Sequence, residues 1–278
     1  MSGLERSLQF YGDTLGFRVR GRAGDTAELG TEALPLLSLT EQPGARRKPP
    51  HSTGLYHYAI LLPSRADLAR TLQRLAAVRY SIEGVSDHLV SEALYLSDPD
   101  GHGIEIYADR PRSVWPTLNG QLRMDTLPLD IDDLMNELKN DAQPWSGLPP
   151  RARIGHVHLH VADLRAAETF YQEVIGFDLM VRYGNSASFL SAGGYHHHIG
   201  VNTWAGVGAP PPPPDAVRLR YFTVLLPTAG DLRAVVERAK AAHQPVEDTQ
   251  GGVLLRDPSQ NAVLLATADR PAPLPMGL

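Results

Sequence analysis

The histidines of this chain are clustered. His156, His158 and His160 alternate along GHVHLHVAD, so all three side chains share one face of a strand. His196, His197 and His198 are consecutive in GYHHHIGVN, which also reads as a strand. There His196 and His198 would face one side and His197 the other, as packing or surface. His57 lies in LYHYAILLP, and Glu105 stands between two isoleucines in GIEIY. A carboxylate in such a strand is costly to bury unless it is paired or bound to a metal. The isoleucines point to the opposite face, which relieves part of that cost. Imidazoles and carboxylates are donors for divalent metals. Two neutral imidazoles and one carboxylate on one face of an ion leave adjacent positions open, as in non-haem Fe(II) oxygenases. An imidazole also moves protons near neutral pH, because its ordinary pKa is ~6.5. The chain has no cysteine, which excludes thiolate nucleophiles, disulfides and Cys-ligated zinc.

The elements that must position these residues repeat. LERSLQFYGDTLGF, from Leu4, matches LRAAETFYQEVIGF, from Leu164, at a constant offset of 160. YHYAILLPSRADL matches RYFTVLLPTAGDL, and LYLSDPDGHGIEIYADRP matches VLLRDPSQNAVLLATADRP. The chain is thus a duplicated pair of modules, four in all. Each module reads as a strand, a helix of about three turns, and three further strands joined by Gly- or Asp-Pro-rich turns. Gly176 is placed to end its helix as C′, and Asp98 to Gly101 forms a tight turn. The expected fold class is α+β, with four βαβββ modules in two domains, residues 1–112 and 152–278. A linker, 113–151, contains one helix, IDDLMNELKN. The first module lacks its first strand: only three residues precede its helix, so either the start is recorded too late or this copy lost the strand. Pro210 to Pro214 reads as a stiff polyproline surface loop.

With its LxxxxxFYxxxxGF helices, its DPDGxGIEIY hairpin and its four-module order, the chain resembles the vicinal oxygen chelate superfamily. Within that superfamily it is most like the two-domain catechol 2,3-dioxygenase, or extradiol ring-cleaving, branch. The resemblance implies a metal held by His57 and Glu105 of module two and His156 of module three. The positions equivalent to His57 and Glu105 in module four are Tyr221 and Leu264, so that copy lacks both ligands. Modules two and three are therefore expected to share a half-barrel that holds the metal. The resemblance further implies His198 as the acid/base and Tyr95, ten residues before Glu105, as a hydrogen-bonding partner of the substrate hydroxylate. His88 matches the family's substrate-binding histidine, although it precedes Glu105 by seventeen residues, two fewer than in the family. A histidine-rich exposed strand is the other reading of residues 196–198.

The implied function is Fe(II)-dependent cleavage of a catechol-type aromatic with both atoms of O2, Mn(II) being the alternative ion, in aromatic hydrocarbon catabolism. Two other classes share the scaffold. One is a glyoxalase-like isomerase or lyase, whose sites commonly use four protein ligands including two glutamates. The other is a ligand-sequestering resistance protein, which needs no such triad. A net charge of −5 gives no basic surface for nucleic acid. No signal-peptide h-region and no membrane span are found, so a cytoplasmic protein is expected, with homo-oligomerisation left open.

Overall fold

The computed structural model of the chain describes residues 1–141 and 143–268. They fold as two compact units. One comprises Met1–Arg47 and His57–His156, and the other Lys48–Tyr56 and the chain from Val157 onward.

The first unit opens with helix α1 (Leu4–Gln9), which continues as a π-helical turn over Phe10–Thr14. The wider turn lets the consecutive Phe10 and Tyr11 both enter the core. Strands β1 (Arg18–Ala23), β2 (Thr26–Gly30) and β3 (Pro35–Thr40) then form an antiparallel sheet in sequence order. Module one thus shows a helix and three strands, with no strand before α1. Module two is complete: β4 (Gly54–Leu62), α2 (Arg65–Ala77), β5 (Gly84–Asp87), β6 (Ser91–Ser97) and β7 (Gly103–Asp109). Strand β7 runs parallel to β4 and antiparallel to β6, which pairs with β5. Helix α2 starts where Ser64 accepts the backbone N–H of Asp67. The Asp98–Gly101 turn between β6 and β7 closes as expected. Gly101 adopts φ 87° and donates to the Asp98 carbonyl, while the Asp98 carboxylate accepts from the backbone of Asp100 and His102. A short hairpin, β8 (Thr117–Leu118) with β9 (Gln121–Leu122), and helix α3 (Ile131–Asn140) follow. Helix α3 belongs to this unit. Arg65 of α2 donates to Asp133 and Glu137 of α3 and to the buried Glu92 of β6.

Strand β10 (Arg153–His160) carries the chain from the first unit into the second. Helix α4 (Leu164–Thr169) and a second π-helical turn (Phe170–Ile175) repeat the first module's device, and Gly176 ends it at φ 97° as expected. Strands β11 (Asp178–Tyr183), β12 (Ala187–Ser191) and β13 (Ile199–Asn202) follow. Strand β13 lies parallel to β10 and antiparallel to β12. The last module comprises β14 (Phe222–Leu226), α5 (Ala229–Ala241), β15 (Glu247–Thr249), β16 (Gly252–Arg256) and β17 (Ala262–Thr267). Thr228 and Asp231 form a capping box at the start of α5, the counterpart of Ser64 and Asp67 in the duplicated sequence.

One expectation fails. The three consecutive histidines are not in a strand: β13 begins at Ile199, and 192–198 is a loop. Gly193 and Gly194 cause the break, with φ of 64° and 65°, a left-handed pair that no strand accommodates. The alternating faces assigned to His196, His197 and His198 therefore do not apply. His196 and His197 are both buried, with their Nδ1 atoms 2.7 Å apart, and His197 packs edge-on against Phe189.

Candidate metal centre

Register builds the site within the first unit. In the parallel pair β4–β7, Ala59 lies beside Glu105, and His57 shares the face of Ala59 two residues away. In the antiparallel pair β6–β7, Tyr95 lies directly opposite Glu105, so the two project from the same face. His156 comes from the start of β10.

The three ligand types converge. Glu105 Oε2 is 3.0 Å from His57 Nε2 and 3.1 Å from His156 Nε2, and the two imidazole centroids are 5.5 Å apart. One donor atom from each residue lies within 4.8 Å of the others, and all three residues are buried. Among the described residues no second group of three such donors is found. Burial alone would raise the Glu105 pKa. The neighbouring His156, then His57, outweighs it and holds the carboxyl well below the usual carboxylate range. A buried carboxylate kept ionised between two Nε2 atoms has the donor set and charge of a divalent-cation site. The residues therefore fit the ion that the fold family implies.

Tyr95 and His88 are part of the same surroundings. The Tyr95 ring lies 5.7 Å from that of His57. His88 Nε2 is 2.7 Å from the Tyr95 hydroxyl, and His88 Nδ1 is 2.8 Å from the Asp125 carbonyl. His88 is thus held between Tyr95 and the Asp125 carbonyl.

His198 belongs to the second unit. Its Nδ1 accepts the backbone N–H of Ala192 at 3.2 Å, and the Ser191 hydroxyl is 3.1 Å away. An N–H donor at Nδ1 leaves the proton of the neutral ring on Nε2.

A residue not singled out from the sequence is Tyr107. It is fully buried, and its ring centroid lies 5.0 Å from that of His156. Gly155 makes room for it, because a Cβ there would lie 1.9 Å from the Tyr107 hydroxyl oxygen. Alternation in GIEIYAD places Tyr107 on the face of Glu105, so the signal was present. Ala59, Leu61 and Ala93 pack with Tyr107 as an apolar floor.

Comparison with known proteins agrees with this architecture. Residues 2–106 and 153–265 match the family model of the Glyoxalase/Bleomycin resistance protein/Dioxygenase superfamily. A Bacillus subtilis (strain 168) protein named catechol-2,3-dioxygenase is 49% identical over 265 residues, covering 94% of this chain and 92% of that protein. Among solved structures, a Bacillus subtilis protein aligns with a TM-score of 0.64 at 14% identity, over 96% of this chain and 82% of the other. Maize glyoxalase I aligns with a TM-score of 0.56 at 15% identity, over 96% and 89%. At such identities the structural likeness speaks for the fold, whereas the family model and the relative at 49% identity bear on descent. The chain belongs to the Glyoxalase/Bleomycin resistance protein/Dioxygenase superfamily.

Proposed function

We propose that the protein is an extradiol ring-cleaving dioxygenase, acting on a catechol-type aromatic diol with O2 and using Fe(II) held by His57, Glu105 and His156. The convergence of two imidazoles on one buried, ionised carboxylate carries this reading. The 49% identical relative, named catechol-2,3-dioxygenase, supports the choice of chemistry. Ferrous iron in this donor set supplies Lewis acidity toward the diol oxygens and one-electron chemistry with dioxygen.

The remaining work falls to the chain's own residues. Tyr95, on the Glu105 face and against the His57 ring, orients a substrate hydroxyl by hydrogen bonding. His88 fixes the Tyr95 hydroxyl by a hydrogen bond. The apolar floor of Ala59, Leu61, Ala93 and Tyr107 keeps water from the ligands. His198 takes the acid/base role that the family resemblance assigns, carrying its transferable proton on Nε2.

Anaerobic reconstitution with Fe(II), followed by catechol and air, tests the proposal. The expected result is a yellow ring-fission product, abolished by His156→Ala. An iron-loaded protein that yields no such product across a panel of catechols would remove the reading. Elemental analysis that finds Ni(II) or Zn(II) in the protein as isolated would favour isomerase chemistry instead.

A further inference from the structure

The segment that leads out of β7 returns to the site. Leu127 and Asp87 exchange two backbone hydrogen bonds, each 2.9 Å, and this bridge straps residues 123–127 beside the end of β5. The strap is anchored on both sides. Asp87 receives Arg110 at 2.7 Å and caps the backbone of Leu89 at 2.8 Å, and Arg123 donates back to the Pro116 carbonyl at 2.9 Å. The strap places the Asp125 carbonyl 2.8 Å from His88 Nδ1. His88, in turn, meets the Tyr95 hydroxyl through Nε2 at 2.7 Å.

We infer that Asp125, through its main-chain carbonyl, is a positioning residue that fixes the direction of the His88–Tyr95 hydrogen bond, making Tyr95 an acceptor toward the substrate. A carbonyl oxygen can only accept, so His88 Nδ1 must carry the proton. In its neutral form the ring then presents a bare Nε2, and the bond between Nε2 and Tyr95 is made by the phenolic proton. With that single proton committed to His88, the Tyr95 oxygen can only accept from any further partner. The site therefore favours a ligand hydroxyl that still bears its proton at this position, rather than an oxyanion. This deepens, and in its functional consequence rests on, the dioxygenase reading. The sequence assigned Tyr95 to a substrate hydroxylate, for which it would be the donor, and the strap reverses that polarity.

The tautomer can be read without turnover. In full-length chain labelled with 15N-histidine, with and without added Zn(II), long-range proton–nitrogen spectra should show His88 protonated at Nδ1 and bare at Nε2. His88→Gln identifies the signals by their loss. Tyr95→Phe should keep the Nδ1–H form, because the strap and not the tyrosine sets it. Leu127→Pro removes one N–H of the Asp87 bridge and should shift the ring toward the Nε2–H form preferred by free imidazole. It should also lower kcat/KM for catechol by about tenfold, as loss of an outer hydrogen-bond partner does, with Zn(II) affinity unchanged. A coupling through the hydrogen bond, from Nδ1 to the Asp125 carbonyl carbon, reads the same contact in the unaltered chain if the proline variant does not fold. Protonation at Nε2 in the unaltered chain, or an unchanged Nδ1 pattern in folded Leu127→Pro, overturns the inference. A protein without dioxygenase activity but with the Nδ1–H pattern would overturn only the functional reading.

Discussion

At the scale of single residues, charge placement decides what each carboxylate does. Glu105 and Glu168 are both buried and both held ionised, but by different partners. Two imidazoles flank Glu105, and these can give way to a cation. Glu168 is held by Arg182 through two hydrogen bonds of 2.9 and 2.8 Å and by the Ser188 hydroxyl at 2.6 Å, which fixes α4 to β11 and β12. A permanent guanidinium leaves no role for a metal, so Glu168 is structural. The Arg182 hydrogen bonds lower the Glu168 pKa more than burial raises it. A carboxyl whose pKa is lower in the folded than in the unfolded chain adds stability above its unfolded value, ~4.3. That stability is lost as pH falls through the folded value. Glu168→Gln should therefore cost about 2 kcal/mol at pH 7, with the difference from the unaltered chain closing below about pH 4. Urea unfolding at several pH values measures it, and an equal cost at pH 3 and pH 7 would exclude the ionic origin. The convergence of His57, Glu105 and His156 was legible through the family resemblance, which names the three positions, whereas alternation adds only which side chains share a strand face. The loop at 192–198 was not, because alternation was carried across Gly193 and Gly194. Asp125 left no trace in the sequence, since the group that acts is its main-chain carbonyl.

At the scale of elements, the proposed metal ligands are held by strand backbones, and one glycine beside them admits a close side-chain approach. Gly155 precedes His156, and its missing Cβ is what admits the Tyr107 hydroxyl. Gly155→Ala should drive Tyr107 away from the His156 ring, or β10 away from β7, because Tyr107 is fully buried and the added Cβ would overlap its hydroxyl. The Tyr107 ring also packs with Ala59, Leu61 and Ala93, so the disturbance reaches the floor of the site. The expected outcome is metal affinity weakened by ten- to a hundredfold, the range for losing support behind a ligand, together with an overpacking cost of about 1–3 kcal/mol. Tyr107→Phe removes the clashing hydroxyl, so adding it to Gly155→Ala should recover part of both losses. Equal metal affinity in Gly155→Ala and the unaltered chain would show that Tyr107 does not support His156. Most elements were readable because helix caps, Asp-Pro turns and apolar alternation are local signals. The π-helical turns were not. They arise from the need to bury Phe10 with Tyr11, and Phe170 with Tyr171, against partners distant in sequence.

At the scale of the whole molecule, duplication has left two units with shared scaffolding and divided roles. Tyr11 donates to Asp98 in one unit and Tyr171 to Asp257 in the other, at 3.1 and 3.2 Å, so the brace between helix and turn survives in both. The proposed metal ligands survive in one. Where the first unit has His57 and Glu105, the second has Tyr221 and Leu264, and Leu264 is packed with Leu254 and Ala262 in an apolar cluster. A ligand that binds only the folded state stabilises what it binds by RT ln(1 + [L]/Kd), about 2.7 kcal/mol at a hundredfold excess over Kd. Because all three proposed ligands lie in the first unit, that stabilisation should act locally. In hydrogen exchange, saturating Zn(II) should slow amides of β4, β7 and the start of β10, with exchange through β14, β16 and β17 unchanged. Glu105→Gln should abolish the effect by removing the only anionic donor. Equal protection of the strands around Leu264 would mean that the two units open as one cooperative body, and that the site stabilises the entire chain rather than the copy that kept its ligands.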